Sequence, residues 1–128
     1  EETVSIGDEI FQVGQQAEYM FFLTAGTMRY EFMFNASEGR PVHPGQWVCE
    51  LVLWANWLHR GLLSASDFDC HMLKLNAGKF LKVVESSQLW YVLRRYACLY
   101  LRRAVCDSGE LLDMSDMWGH EAIVKDLT

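Results

Sequence analysis

The sequence predicts an α+β fold that is mainly β, a small antiparallel barrel or roll with helices at its C-terminal end. Three observations carry this. Apolar and polar residues alternate at period two in stretches of the first two thirds of the chain, as on half-buried strands. After Leu75 the apolar period becomes that of a helix. A length of 128 residues with 51% hydrophobic content and two prolines suits one packed core of single-domain size.

The elements follow in order. Residues 19–34, "YMFFLTAGTMRYEFMF", have an apolar half before Gly26, then set Met28, Tyr30, Phe32 and Phe34 on one face and Thr27, Arg29 and Glu31 on the other. This predicts one long, half-buried strand. The next stretch, "NASEGRPVHPGQW", collects turn-forming residues, and its Pro44-Gly45 pair predicts a hairpin loop. Alternation returns in "CHMLKL", residues 70–75, which predicts another strand. Asn76 as an N-cap, with Phe80, Val83 and Val84 at helical spacing, predicts a short helix. The segment "SQLWYVLRRYACLYLRRAV" lacks glycine and proline and keeps Leu89, Leu93, Tyr96 and Tyr100 on one face, predicting a long helix over about residues 88–105. Gly109 signals a stop. The expected division is a domain over 1–106 and an acidic tail or short helix over 107–128.

Composition excludes several functions. A net charge of -6 with no basic half argues against nucleic acid, whose phosphates are bound by clustered lysine and arginine. No apolar run approaches the roughly 18 residues that cross a bilayer, and "EETVSIGDE" is unlike a signal peptide. Membrane insertion by this segment is therefore not expected. Cys49, Cys70, Cys98 and Cys106 form no CxxC pair and fall mostly in apolar patterns, which suits a reducing compartment. His43, His59, His71 and His120 show no HxH or HExxH spacing, so no metal site is expected. Without a Gly-x-Ser-x-Gly elbow or an obvious cysteine–histidine pair, the chain is not expected to be an enzyme or to carry a cofactor. The Arg94-Arg95 and Arg102-Arg103 doublets read as a solvated face.

One stretch carries chemistry. In "VCELVLWANWLHRG", residues 48–61, Glu50 and Arg60 stand in an almost wholly apolar segment, where an unpaired buried charge is costly. From about Ile6 to Val105 the chain resembles the cyclic nucleotide-binding domain, the β-roll of protein kinase A regulatory subunits, cyclic nucleotide-gated channels and the catabolite activator protein, which implies a jelly-roll-like antiparallel β-roll with a phosphate-binding-cassette helix and C-terminal helices. "EIFQVGQQAEYMFFLTAGTMRYEF" resembles its opening strands, with Gly14 and Gly26 at turn glycines, and "PGQWVCELVL" resembles the approach to its phosphate-binding cassette. That cassette reads approximately Phe-Gly-Glu-Leu-Ala-Leu, then a variable stretch and an arginine. Here it is Val48-Cys49-Glu50-Leu51-Val52-Leu53, then "WANWLH", then Arg60-Gly61. Cys49 stands at the glycine position, His59 where proline is usual, and Gly61 where some members carry a hydroxyl.

The resemblance implies a ligand site for cAMP or cGMP formed by Cys49, Glu50, Leu51, Arg60, Gly61 and Leu62. Arg60 clasps the cyclic phosphate, since a guanidinium makes paired charge-assisted hydrogen bonds to such an anion. A short helix starting near Glu50 adds its N–H groups. Glu50 accepts from the ribose 2′-hydroxyl. Gly61 offers guanine no hydroxyl, which implies weak discrimination leaning to cAMP. The last helix acts as a lid, with Tyr100, Leu101 and Arg102 as its ligand-facing residues. Two functions follow as expectations. One is a cyclic nucleotide-sensing regulatory domain of a larger signalling or ion-channel protein, cytoplasmic or on the intracellular side of a membrane protein, relaying ligand state to other domains. The alternative is a degenerate roll that binds no nucleotide and serves as a structural or interaction module.

Overall fold

The computed structural model of the chain describes residues 2–33, 39–108 and 116. Strands β1 (Glu2–Val4), β2 (Glu9–Phe11), β3 (Tyr19–Ala25), β4 (Met28–Phe32), β5 (Arg40–Val42), β6 (Trp47–Val48), β7 (Gly61–Ala65) and β8 (Cys70–Asn76) precede helices α1 (Ala77–Glu85) and α2 (Trp90–Ser108). A single 3-10 turn, Glu50–Leu53, lies between β6 and β7. The strands form two four-stranded sheets, ordered β1-β8-β3-β6 and β2-β7-β4-β5. Every pairing is antiparallel. The expected mainly-β roll with C-terminal helices is the observed architecture.

The strand expected over residues 19–34 is instead two strands in different sheets. Tyr19–Ala25 pairs with β6 and β8, and Met28–Phe32 with β5 and β7. Gly26 makes the break: its φ is +83°, and a Cβ there would lie 2.8 Å from the Asp69 carbonyl and from Cys70 Sγ. Only glycine takes that backbone at that distance. Phe34 lies outside the described residues.

The turn-rich stretch that follows also contains a strand. In β5, Pro41 pairs with Arg29 and Arg40 with Tyr30. Proline is tolerated because β5 is the outer strand of its sheet and need not donate on its free side. Gly45, at φ +92°, makes the expected turn into β6.

Alternation fills the space between the sheets. Met28 and Tyr30 of β4 and Leu63 and Ala65 of β7 point inward, where they meet Phe21, Leu23 and Met72 of the other sheet in one buried cluster. Phe11 and Phe21 bring their ring centroids to 5.8 Å across the gap. Gly61 begins β7 because a side chain does not fit: its Cβ would be 2.5 Å from the Glu31 carbonyl and from the Tyr30 hydroxyl.

Both helices form where their sequence predicts. Asn76 Oδ1 accepts from Lys79 N at 3.0 Å, an N-cap contributing about 1 kcal/mol to α1. The expected apolar face of α1 is narrower than its sequence suggests. Val84 is buried, but Val83 is 68% exposed, since consecutive helical residues point about 100° apart. On α2, Tyr96 and Tyr100 turn towards the roll, whereas Leu89 precedes the helix and is exposed. Among the described residues, no helix is long and apolar enough to cross a membrane.

Candidate functional site

The segment from Cys49 to Gly61 joins β6 to β7, and it arranges two buried anions. The first is Glu50, only 5% exposed. Three donors satisfy its carboxylate. Trp47 Nε1 donates to Oε1 at 3.1 Å, while the Tyr96 hydroxyl and Trp54 Nε1 donate to Oε2 at 2.6 and 3.4 Å. Burial and the bond to Glu50 push the Tyr96 phenol upward in pKa. Burial, followed by the Glu50 charge, does the same to Tyr100. The Trp54 ring packs against Phe80, Tyr96 and Tyr100 at centroid distances of 6.0, 5.5 and 6.3 Å. Glu50 and Trp54 thus fasten the cassette turn to both helices.

The second anion is Asp116, 1% exposed. Its Oδ1 accepts from Trp57 Nε1 at 2.7 Å and faces His59 Nδ1 at 3.2 Å. Its Oδ2 accepts from the Tyr30 hydroxyl at 2.7 Å and from the Arg60 backbone N–H at 2.9 Å. The Asp116 amide donates back to the Tyr30 hydroxyl at 3.0 Å, and the Cys49 amide donates to the Asp116 carbonyl at 2.7 Å. Full satisfaction of this kind makes a charge tenable in the interior. His59 is held for the contact by stacking on Phe11, with centroids 3.6 Å apart and planes 7° from parallel.

The expected ligand residues take distinct places around these two centres. Cys49 adopts φ 68° and ψ 44°, the only described non-glycine residue with positive φ. The left-handed geometry expected of a glycine position is therefore kept at a cost of roughly 1–2 kcal/mol. Burial and then the Asp116 charge raise the pKa of its thiol. The expected helix at Glu50 is one 3-10 turn of four residues. Leu51 is buried in the core, and Leu62 is half-buried on β7.

Arg60 presents its backbone, rather than its guanidinium, to the Asp116 carboxylate. The guanidinium lies 5.0 Å from the Trp57 ring centroid, and its buried Nε has no hydrogen-bond partner among the described residues. Of the expected lid residues, Tyr100 is fully buried, Leu101 packs against the core and Arg102 is exposed. A cavity of about 230 Å³ is lined by residues including Phe11, Phe21, His59, Met72 and Lys74, but by none of the expected ligand residues.

Four residues of the Asp116 nest, Tyr30, Trp57, His59 and Asp116 itself, lie outside the expected site. Tyr30 looks like an ordinary inward strand residue, and Asp116 like one of many acids near the C-terminus. Their convergence depends on β4 running beside β7, which spacing along the chain does not reveal. Cys49, His59 and Asp116 also place ligand-type atoms within 4.8 Å of one another. Such a thiol, imidazole and carboxylate set suits zinc by type, although the sequence predicts no metal. Both carboxylate oxygens already face two hydrogen-bonding groups each.

Comparison with known proteins defines the class of fold. No protein-family model matches the sequence, and no curated protein does. Solved structures do match. A cyclic nucleotide-binding-like protein from Brucella abortus superposes with a TM-score of 0.55 at 23% identity, covering 66% of this chain and 76% of that one. A putative cyclic nucleotide-binding protein from Geobacter metallireducens gives 0.59 at 18%, covering 76% and 71%. A protein from work on a cyclic-GMP-dependent pathway regulating bacterial phytopathogenesis gives 0.59 at 22%, covering 74% and 78%. The fold is that of cyclic nucleotide-binding-like proteins. At 18–23% identity the likeness is one of fold.

Proposed function

We propose that this chain is a regulatory domain of a larger signalling or ion-channel protein, a binding module rather than a catalyst, which senses cAMP or cGMP at its Cys49–Gly61 cassette. It acts on the cytoplasmic side and relays ligand state through its C-terminal helices. One observation carries the reading: the cassette and β4 aim the Tyr30 hydroxyl, Trp57 Nε1 and the Arg60 amide at a single buried anion position. A cyclic phosphate is a monoanion with two free oxygens, so the donors that satisfy a carboxylate there suit it as well. Arg60 also carries a buried Nε with no hydrogen-bond partner among the described residues, a donor of the type a phosphate oxygen takes.

Calorimetric titration of cAMP and cGMP tests this. Binding should be measurable, and Arg60→Ala should weaken it by about 2–5 kcal/mol, the range for truncating a buried charged partner. Unchanged affinity in that variant rules out the Arg60 guanidinium as the phosphate ligand, and no binding of either nucleotide at millimolar concentration rules out the sensor.

The arrangement of Glu50 favours a second reading, a roll that binds no nucleotide and serves as an interaction module. The carboxylate that would take a ribose hydroxyl is occupied by Trp47, Trp54 and Tyr96.

A further inference from the structure

We propose that Asp116 is a resident ligand of the cassette, an internal carboxylate that holds the anion position and must leave before another anion can enter. The nucleotide arm of this inference rests on the sensor reading above; the occupancy arm does not.

The contacts carry the argument. Asp116 is eight positions beyond the end of α2 at Ser108, yet it is as buried as the core of the roll. An incidental surface acid would meet water, or one basic side chain. This one meets a phenol, an indole, an imidazole and a backbone amide through its carboxylate, and a second backbone amide through its carbonyl.

The donors come from separate parts of the chain that the pairing of β4 with β7 brings together: Tyr30 from β4, Cys49 from the turn entry, and Trp57, His59 and Arg60 from the strand approach. Cys49 keeps a left-handed backbone with its amide directed at the Asp116 carbonyl. Tyr30 bonds Asp116 twice, as donor to the carboxylate and acceptor from the amide. These are the properties of a built anion site with an occupant from the same chain.

Occupancy has a thermodynamic consequence. A ligand that needs the vacated site binds with its intrinsic affinity divided by the fraction of molecules in which Asp116 is out. By reciprocity, a bound ligand favours release of Asp116 by the same factor. Asp116 itself would then report ligand state by leaving its nest.

The test uses the full chain, ¹⁵N-labelled, as wild type, Asp116→Asn and Tyr30→Phe. Asp116→Asn keeps the side-chain shape and removes the charge, and Tyr30→Phe removes a contact from the other side if the first variant folds poorly. In the wild type, the Trp57 indole N–H and the Cys49 and Arg60 amides should exchange slowly with solvent. In either variant their resonances should move and exchange should accelerate by at least about tenfold, while the β4 and β8 amides stay protected. Unmoved resonances in both variants overturn the proposal. Loss of the wild-type pattern on adding EDTA also overturns it and assigns the site to a metal joining Cys49, His59 and Asp116.

Titration of cGMP and cAMP forms the second arm, with at least about tenfold tighter binding expected in Asp116→Asn. Equal affinity in wild type and Asp116→Asn refutes competition and leaves the sensor reading standing. Moved resonances without nucleotide binding to either protein uphold the resident carboxylate and remove the sensor reading.

Discussion

Replacing Tyr96 with phenylalanine removes one hydroxyl and asks whether Glu50 is committed to α2. The phenol donates to Glu50 Oε2 at 2.6 Å, a length typical of a charge-assisted bond. Hydrogen bonds to charged groups contribute roughly 1.5–3 kcal/mol. Tyr96 is half-buried, so water can reach the vacated side of the carboxylate, and Trp47 and Trp54 still donate to it. The lower end, about 1.5 kcal/mol, is therefore the expected loss. With a urea slope of about 2 kcal/mol per molar, the unfolding midpoint should fall by about 0.75 M.

Combined with Glu50→Gln in a double-mutant cycle, the pair should show a coupling of about 1 kcal/mol or more. The same substitution frees an acceptor at the cassette. If the ribose uses Glu50, Tyr96→Phe should bind cAMP or cGMP more tightly while being less stable, a combination that simple damage to the fold does not produce. A midpoint unchanged within about 0.15 M, or about 0.3 kcal/mol at that slope, with an additive cycle, refutes the argument that Glu50 ties the cassette to the helix.

Three further outcomes are expected. Gly61→Ala should destabilise the roll by about 2 kcal/mol or more in thermal or urea unfolding, because its Cβ would meet the Glu31 carbonyl at 2.5 Å and a backbone atom cannot swing aside. Tyr30, Tyr96 and Tyr100 all have folded-state pKa values raised above the unfolded value, first by burial. Their contribution to stability is therefore full below about pH 10 and is lost as pH rises towards the folded values. Urea midpoints should fall steadily above that pH, with phenolate absorbance appearing together with unfolding; early ionisation of all five tyrosines in the native protein would contradict the burial. Amides of residues 95–105 should exchange before those of β4 (Met28–Phe32) and slow on nucleotide addition if α2 is a lid. Equal protection in the two segments would make it a fixed part of the roll.

The fold was legible where one periodicity governs a segment. Met28 and Tyr30 alternate with Arg29 and are inside, Asn76 caps α1, and Tyr96 and Tyr100 mark the docked face of α2. It was less legible where a short strand is set by its neighbours. β5 is three residues in a turn-rich stretch, fixed by pairing with β4. The inward positions of β7 include Gly61 and Ala65, too small to advertise a buried face.

The cassette was legible as a segment, because Glu50 and Arg60 are charges in apolar surroundings. Their partners were not. Glu50 takes donors from Trp47, Trp54 and Tyr96, and the Arg60 amide meets a carboxylate 56 positions away. Local sequence can identify a charge that needs partners, but the supply of those partners is decided by which strands and helices the fold brings past it.

Part of that supply comes from the C-terminal side of the chain, and this bears on how the domain would signal. Glu50 is bonded to Tyr96 of α2, and the anion position at the Arg60 amide is filled by Asp116, beyond the end of the same helix. A nucleotide using the cassette phosphate and ribose positions would have to break both contacts. Each loss falls on the C-terminal part of the chain, while the strand pairings of the roll need not change. The shift available is limited to the difference between the ligand's affinities for the open and occupied states. Moving the population from 1% to 99% open would take about 5.5 kcal/mol of such preference. Tyr96→Phe and Asp116→Asn remove separate parts of that requirement. If both contacts oppose entry independently, the affinity gains should multiply in the double variant. If α2 and Asp116 leave together, either substitution alone should produce most of the gain, and the second should add little.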